Sequence, residues 1–135
     1  MYIHSTYRRV TYAETDKMGY LYYGRYADYY ETGRTEALRA LGVVYREMED
    51  SGIMMPVLDM HTKYKKPAFY DEQLEIRTTL PELPGVRITF TYEIYNPEEK
   101  LLNEGKTTLV FYDMAKKRPC ECPAALREKL MTFFM

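Results

Sequence analysis

The chain has 135 residues, and its 19 basic and 20 acidic side chains nearly cancel, to a net charge of −1. Proteins dedicated to nucleic-acid binding are usually clearly basic, so this balance argues against that class of function. No apolar run reaches the roughly 20 residues of a membrane-spanning helix, and the start, Met1 to Ser5, does not have the pattern of a signal peptide. We therefore expect one cytoplasmic domain covering residues 1–135.

In chain order, the first predicted elements are a strand and a long helix. The segment Thr6 to Tyr12 mixes β-branched, aromatic and basic residues, which is typical of a strand. After a loop that contains Asp16, small and aromatic residues recur at helical spacing and form one stripe: Tyr26, Tyr30, Gly33, Ala37 and Ala40 or Leu41. Gly42 follows this stripe and is a suitable residue to end the helix.

Two features of this helix predict what its faces contact. Glu31 and Arg34 are three residues apart, as are Glu36 and Arg39, so both pairs are expected to interact on the surface. Gly33 costs about 1 kcal/mol relative to alanine in the middle of a helix. Because Gly33 lies on the apolar stripe, we expect another backbone to approach closely there, as in a sheet wrapped tightly around the helix.

The second half of the chain alternates between apolar and polar residues, which is the period of β-strands. Four strands are expected, separated by turn signals: Met54–Tyr64, Gln73–Leu80, Arg87–Ile94 and Leu101–Tyr112. A short helix from Pro123 to Met131 follows, with Pro123 in its first turn. Strands and helices do not alternate regularly, so the predicted fold class is α+β, with an antiparallel sheet against one long helix.

Residue types that usually bind metals are sparse. Cys120 and Cys122 are one residue apart, which is a poor spacing for an unstrained disulfide between them. They would supply only half of a four-thiolate zinc site. His4 and His61 are far apart and neither has the spacing of a metal ligand. We therefore predict no metal site and two reduced thiols in a loop.

The segment Glu14 to Tyr23 carries the strongest indication of function, because it places Asp16 just ahead of the predicted helix. The first N–H groups of a helix lack intrahelical partners and carry partial positive charge. An ionised aspartate can attack a carbonyl or activate water, and a donor at the developing oxyanion accelerates such reactions by roughly 10²–10³. The alternative is that Asp16 is only a turn or capping residue, since aspartate is common in such loops.

Essentially the whole chain resembles the hotdog-fold acyl-CoA thioesterases, in particular the 4-hydroxybenzoyl-CoA thioesterase / YbgC branch. The resemblance rests first on the motif Tyr12-Ala13-Glu14-Thr15-Asp16-x-x-Gly19-x-x-Tyr22-Tyr23-x-x-Tyr26. Further matching segments are Glu31-x-x-Arg34-Thr35-Glu36-x-Leu38-Arg39-x-Leu41-Gly42, Tyr64-Lys65-Lys66-Pro67-Ala68, Asp71-Glu72-x-Leu74-Glu75-Ile76 and Arg118-Pro119. The resemblance implies an antiparallel sheet wrapped around one central helix and hydrolysis of an acyl-CoA thioester to the free acid and coenzyme A.

The same resemblance implies roles for single residues. Asp16 corresponds to the catalytic aspartate, which acts as nucleophile or as base for water, and Tyr23 to the position whose backbone N–H polarises the thioester carbonyl. Many YbgC-type members have histidine at the Tyr23 position, but a backbone donor survives that change. Gly19 corresponds to the glycine that lets the loop turn close to the substrate. The full set expected to bind substrate is Gly19, Tyr22, Gly24, Tyr26, Lys65 and Lys66.

Partners and alternatives follow from the same resemblance. The family's active site lies at a dimer interface, so a homodimer or homotetramer is expected, and coenzyme A enters as part of the substrate, with no separate cofactor. A thioesterase acting on acyl carrier protein and a non-catalytic acyl-CoA-binding module are the alternatives.

Lysines such as Lys65 and Lys66 either hold the phosphates of coenzyme A or are solvated surface charges. An aromatic cluster, which either lines the acyl pocket or belongs to the core and the dimer interface, comprises Tyr20, Tyr22, Tyr23, Tyr26, Tyr29 and Tyr30.

Overall fold

The computed structural model describes residues 1–135, which form two β-sheets and three α-helices. The strands are β1 (Tyr2–Arg9), β2 (Ile53–Met54), β3 (Val57–Tyr64), β4 (Gln73–Leu80), β5 (Arg87–Tyr95), β6 (Leu101–Val110), β7 (Tyr112–Asp113) and β8 (Arg118–Pro119). The helices are α1 (Tyr26–Ala40), α2 (Tyr45–Asp50) and α3 (Ala124–Met131), with short 3₁₀ turns at Tyr12–Glu14 and Tyr23–Arg25. No helix has both the length and the apolar character needed to cross a membrane.

Five strands form an antiparallel sheet in the order β1-β4-β5-β6-β3, and α1 packs against it. Side chains alternate strictly along β4, where Leu74, Ile76 and their successors at every second position are buried beneath the helix. A fold with one long helix against an antiparallel sheet confirms the predicted α+β class. The arrangement leaves β1 and β3 at the two edges of the sheet.

The first strand was predicted over Thr6–Tyr12, and this range is wrong. β1 begins at Tyr2, which pairs with Leu80, and ends at Arg9, which pairs with Gln73. The strand therefore matches the full length of β4, and the chain turns into a 3₁₀ turn at Tyr12. Threonine and tyrosine are common both in strands and in extended segments that lead to a turn, so composition alone does not show where the strand begins and ends.

Three other differences concern the bounds of elements, and the first is that the predicted strand Leu101–Tyr112 ends at Val110 as β6, whereas Tyr112 belongs to β7 in the other sheet. The predicted strand Met54–Tyr64 is two strands, because β2 pairs with β7 in a separate three-stranded sheet, whereas β3 pairs with β6. Pro56, which has no N–H to donate, lies between them. Helix α2 was not predicted, since its six residues are too few to show a helical period. The predicted stop at Gly42 is confirmed: this glycine follows α1 with a φ of 86°.

Tight packing at Gly33 is confirmed. A Cβ added there would lie 2.5 Å from Thr78 Oγ1 and 2.8 Å from Ile76 Cγ2, both on β4. The side chain that follows, Arg34, also turns inward: it is only 8% exposed and donates a long hydrogen bond of 3.5 Å to the Tyr92 hydroxyl. The predicted surface pair between Glu31 and Arg34 is therefore wrong.

The second predicted pair is confirmed, with Arg39 Nε and Glu36 Oε1 at 3.3 Å. Residues three apart on a helix can meet, but the spacing does not say which face of the helix they occupy. Arg34 faces the sheet and Arg39 faces solvent. Only the pair on the solvent face forms.

Candidate active site

Residues 14 to 22 fold back on themselves as a short hairpin ahead of the long helix. The N–H of Tyr22 donates to the Glu14 carbonyl at 2.8 Å, and the N–H of Asp16 donates to the Tyr20 carbonyl at 2.9 Å. At the tip, the N–H of Gly19 donates to the Asp16 carbonyl at 3.0 Å. Gly19 has a φ of 78°, a left-handed conformation that glycine adopts without strain. The hairpin fixes the backbone on both sides of Asp16.

The carboxylate of Asp16 is held by one oxygen and leaves the other free. Its Oδ1 accepts the N–H of Met18 at 2.9 Å and the N–H of Tyr20 at 3.2 Å. Its Oδ2 accepts no hydrogen bond from the protein, and the residue is exposed. Asp16 is therefore a turn residue, which was the alternative to a catalytic role in the sequence analysis. It also presents a fixed carboxylate oxygen to its surroundings.

The long helix begins without a side-chain cap. The 3₁₀ turn at Tyr23–Arg25 runs directly into α1, and Tyr22, which occupies the capping position, makes no capping hydrogen bond with its side chain. The first hydrogen bonds of the turn run from Arg25 N–H to the Tyr22 carbonyl and from Tyr26 N–H to the Tyr23 carbonyl. The N–H groups of Tyr23 and Gly24 precede these bonds and have no helical acceptor.

Asp16 and the helix start line the same cleft, which has a volume of about 300 Å³. Its lining consists of Asp16, Tyr20, Leu21, Tyr23, Tyr26, Tyr64, Lys65, Lys66 and Pro67. Among the predicted site residues, the structure thus brings together Asp16, Tyr23, Tyr26, Lys65 and Lys66. The cleft is open and has both aromatic and cationic walls.

Three predicted site residues lie beside the cleft rather than in its lining: Gly19, Tyr22 and Gly24. Gly19 makes the turn described above. A Cβ on Gly24 would lie 2.6 Å from a ring carbon of Tyr22, so the absence of a side chain lets that ring fold over the helix start. The Tyr22 ring in turn lies 4.7 Å from the Tyr23 ring, centroid to centroid.

Tyr64 is a cleft residue that the sequence interpretation did not assign to the site. It ends β3, and its ring centroid lies 5.4 Å from that of Tyr26 and 6.3 Å from that of Tyr23. Its hydroxyl donates to the Tyr23 carbonyl at 3.4 Å. Tyr64 opens the motif Tyr64-Lys65-Lys66-Pro67-Ala68, so the signal that selected the two lysines was also available for Tyr64. Leu21 and Pro67 were likewise not assigned.

The tyrosine cluster divides between the cleft and the core. Tyr29 and Tyr30 have no exposed surface, whereas Tyr20, Tyr23 and Tyr26 line the cleft. Burial, assisted by the neighbouring Tyr64, raises the pKa of Tyr26 to about 12. Tyr26 therefore stays a neutral hydroxyl near neutral pH and does not serve as a base there.

Lys65 and Lys66 are placed by their backbones at the end of β3. Both N–H groups donate to the Leu102 carbonyl, at 2.8 and 3.1 Å. Neither ammonium group forms an ion pair with a carboxylate of the chain. Two other groups of cations, Lys63 and the run from Lys116 to Arg118, lie outside the cleft lining.

No group of three histidine, cysteine, aspartate or glutamate side chains lies close enough together to hold a metal ion. Cys120 and Cys122 are free thiols. Burial raises the pKa of Cys122 to about 11, so this thiol stays protonated near neutral pH. Neither cysteine is part of the cleft.

Comparison with known proteins places this geometry in a family. Residues 10–130 match the family described as the thioesterase-like superfamily. The chain is 34% identical over 118 residues to the acyl-CoA thioester hydrolase YbgC of Escherichia coli, covering 87% of this chain and 88% of that protein. It is 35% identical over 112 residues to YneP of Bacillus subtilis, covering 83% and 81% respectively.

A solved structure leads to the same family. The DHNA-CoA thioesterase from Staphylococcus aureus matches with a TM-score of 0.93 at 32% identity, covering 99% of this chain and 92% of that one. The match extends over nearly all of both chains, so it includes the central helix, the sheet and the hairpin ahead of the helix. The chain belongs to the thioesterase-like superfamily and is a hotdog-fold thioesterase.

Proposed function

We propose that the protein hydrolyses an acyl-CoA thioester to the free acid and coenzyme A, with Asp16 as nucleophile or general base. The observation that carries this proposal is the shared cleft: a carboxylate with one free oxygen and an uncapped helix start line the same cavity. The relatives named for acyl-CoA hydrolysis support the choice of substrate class.

In this mechanism the thioester carbonyl oxygen lies against the N–H of Tyr23. The partial positive charge at the start of α1 stabilises the oxyanion that forms when the carbonyl carbon is attacked. Either Asp16 Oδ2 attacks and forms a mixed anhydride that water then hydrolyses, or Asp16 removes a proton from a water that attacks. In both routes the C–S bond breaks and coenzyme A leaves as its thiolate, which takes up a proton.

The remaining lining suits the two ends of such a substrate. Leu21, Pro67 and the ring of Tyr64 offer apolar surface to an acyl group. Lys65 and Lys66 are exposed cations without carboxylate partners, which is what the phosphates of coenzyme A require.

We further propose that the protein works as a homodimer or homotetramer. β3 is an edge strand, and three of its apolar side chains are about half exposed: Val57 at 47%, Leu58 at 49% and Met60 at 43%. An exposed apolar edge strand is a template for pairing with another chain. The same strand ends at Tyr64 in the cleft, so pairing along β3 would bring a second subunit next to the site.

The test is turnover by the wild-type protein and Asp16→Asn on short, long and aromatic acyl-CoA substrates and on matching acyl carrier protein thioesters. Asparagine keeps the Oδ1 acceptor but loses the charge, so turnover should fall by at least about 10², while substrate still binds. Asp113→Asn is the matched control, since Asp113 Oδ1 also accepts two backbone N–H groups, at 2.9 and 3.1 Å, outside the cleft.

Each result separates one alternative. Faster release from the carrier protein would identify that carrier as the substrate. Binding of acyl-CoA without turnover in the wild-type protein would identify a non-catalytic module. Wild-type turnover in Asp16→Asn would eliminate the catalytic assignment of Asp16.

A further inference from the structure

A second carboxylate, Glu14, lies two residues before Asp16 and is buried, with 5% of its surface exposed. Its Oε2 accepts a hydrogen bond from Arg8 Nη2 at 2.7 Å. Its Oε1 accepts the Tyr29 hydroxyl at 3.0 Å and the backbone N–H of Thr11 at 2.9 Å. A buried carboxylate with all its partners in place is strongly fixed, because removing Arg8 would leave its charge unpaired and removing either neutral donor would cost it a hydrogen bond. Glu14 is not part of the cleft lining.

The partners of Glu14 come from different elements. Arg8 lies on β1, and its Nη1 donates to the Thr32 hydroxyl at 2.9 Å and to the Asp28 carbonyl at 3.2 Å, both on α1. The Arg8 guanidinium also lies 4.2 Å from the centre of the Tyr29 ring. Through this cluster the side chain of Glu14 is tied to both the edge of the sheet and the first turns of the helix.

The backbone of Glu14 contacts the segment that carries Asp16 and Tyr23. Its carbonyl accepts the N–H of Tyr22 at 2.8 Å, which closes the hairpin that carries Asp16. Tyr22 directly precedes Tyr23, whose N–H is the proposed oxyanion donor. Glu14 thus contacts both strands of the hairpin, the one that leads to Asp16 and the one that leads to Tyr23, and it also contacts the helix.

We infer that Glu14 is a positioning residue: by binding Arg8 and Tyr29 it sets Asp16 at the correct distance from the helix start. This inference rests on the proposed function. A displacement of about 1 Å in a reacting group can cost on the order of 10² in rate. Loss of a Glu14 contact should therefore slow the chemical step while the cleft, and with it the affinity for substrate, stays in place.

The test compares two conservative variants with a matched control. Tyr29→Phe removes the hydroxyl at Glu14 but keeps the ring beneath Arg8, and Glu14→Gln keeps an oxygen acceptor but loses the charge opposite Arg8. The control is Tyr2→Phe, since the Tyr2 hydroxyl is also buried and donates to α1, at the Ala37 carbonyl, 2.6 Å away. All three are measured for kcat, KM and melting temperature on the same acyl-CoA.

We expect kcat to fall about tenfold in Tyr29→Phe and Glu14→Gln, with KM within about twofold of wild type. Tyr2→Phe should retain wild-type kcat although it loses a similar hydrogen bond. If all three variants lose activity in proportion to their loss of melting temperature, Glu14 is only a stabilising residue and the inference is overturned. Unchanged kcat in both Tyr29→Phe and Glu14→Gln would also overturn it.

A double variant separates this inference from the proposed function. If Glu14 acts through Asp16, adding Tyr29→Phe to Asp16→Asn should change the residual rate by less than about twofold. A further tenfold loss there would show that Tyr29 acts independently of Asp16 and would overturn the inference. Wild-type turnover in Asp16→Asn alone would instead remove the proposed role of Asp16, whatever the Tyr29 variant does.

Discussion

Asp16 and Asp113 hold their loops in the same way, since Oδ1 of each accepts two backbone N–H groups that follow it in the chain. The two carboxylates differ in their surroundings: Asp16 lines the same cleft as the uncapped helix start, whereas Asp113 is the last residue of β7, before the turn that leads to β8. A structural role at Asp16 therefore does not compete with a chemical one. Oδ1 holds the turn, and the proposed chemistry uses Oδ2.

The two tasks of Asp16 can be separated by stability measurements. Asp16→Ala loses both backbone hydrogen bonds to Oδ1 and should destabilise the protein by about 1 kcal/mol, whereas Asp16→Asn keeps an acceptor and should stay close to wild type. Both variants should lose turnover. Calorimetry on the pair provides the measurement. Equal destabilisation by both substitutions would contradict the assignment of the turn to Oδ1.

Gly33→Leu should damage folding. The added Cβ alone would lie within 3 Å of two β4 side-chain atoms, at 2.5 and 2.8 Å, and overpacking of this kind costs typically about 1–3 kcal/mol. Urea denaturation measures the loss. Ala40→Leu is the control, because Ala40 is an exposed residue at the end of the same helix. Equal stability in the two variants would mean that α1 can move away from β4.

The free energy of unfolding should depend on pH through the ionisation of Glu14. Burial raises the pKa of its carboxyl, but hydrogen bonds from Thr11 and Tyr29 and the charge of Arg8 outweigh that effect and hold the pKa below its ordinary value. The contribution of ionised Glu14 to folding is then present above the unfolded pKa of about 4.3 and is lost as pH falls through the lower folded value. The gap in unfolding free energy between wild type and Glu14→Gln should thus be largest near neutral pH and shrink in acid. A gap that is constant from neutral pH to about pH 3 would be inconsistent with this linkage.

Neutralising the two lysines that line the cleft should affect only substrates that carry phosphates. In a Lys65→Gln, Lys66→Gln double variant, KM for acyl-CoA should rise by about tenfold, the equivalent of one charge-assisted hydrogen bond. KM for an N-acetylcysteamine thioester of the same acid, which has no phosphate, should not change. The same changes at Lys116 and Lys117, outside the cleft, provide the control. A rise in KM for both substrates would mean that the lysines contribute to binding of the acyl group and not of the phosphates.

Light scattering should give a mass of at least twice the 16.1 kDa of one chain. Met60→Lys places a charge on the exposed edge strand and should shift the protein toward the monomer. Met131→Lys on α3 is the matched control, since the two methionines are almost equally exposed, at 43% and 42%. A wild-type monomer at micromolar concentration would rule out pairing along β3.

The sequence predicted several parts of this protein that depend on neighbours along the chain, although it missed the short helix α2. Asp16 and Tyr23 come together because a hairpin of nine residues and the helix that follows it are local structures. Arg34 was assigned to the surface because helical spacing gives which residues share a face, but not what that face meets. Tyr64 lies 41 residues from Tyr23, and only the pairing of β3 at the edge of the sheet brings their rings together.

The uncapped start of α1 has a consequence for how the protein responds to its substrate. Natural helices usually begin at a side chain that accepts their first N–H groups, and Tyr22 offers none. In the proposed complex the thioester carbonyl accepts one of these first N–H groups, which is what a capping side chain does in other helices. Bound substrate should therefore stabilise the start of α1, as a capping serine or aspartate does in other helices, and release of the acid should remove that stabilisation.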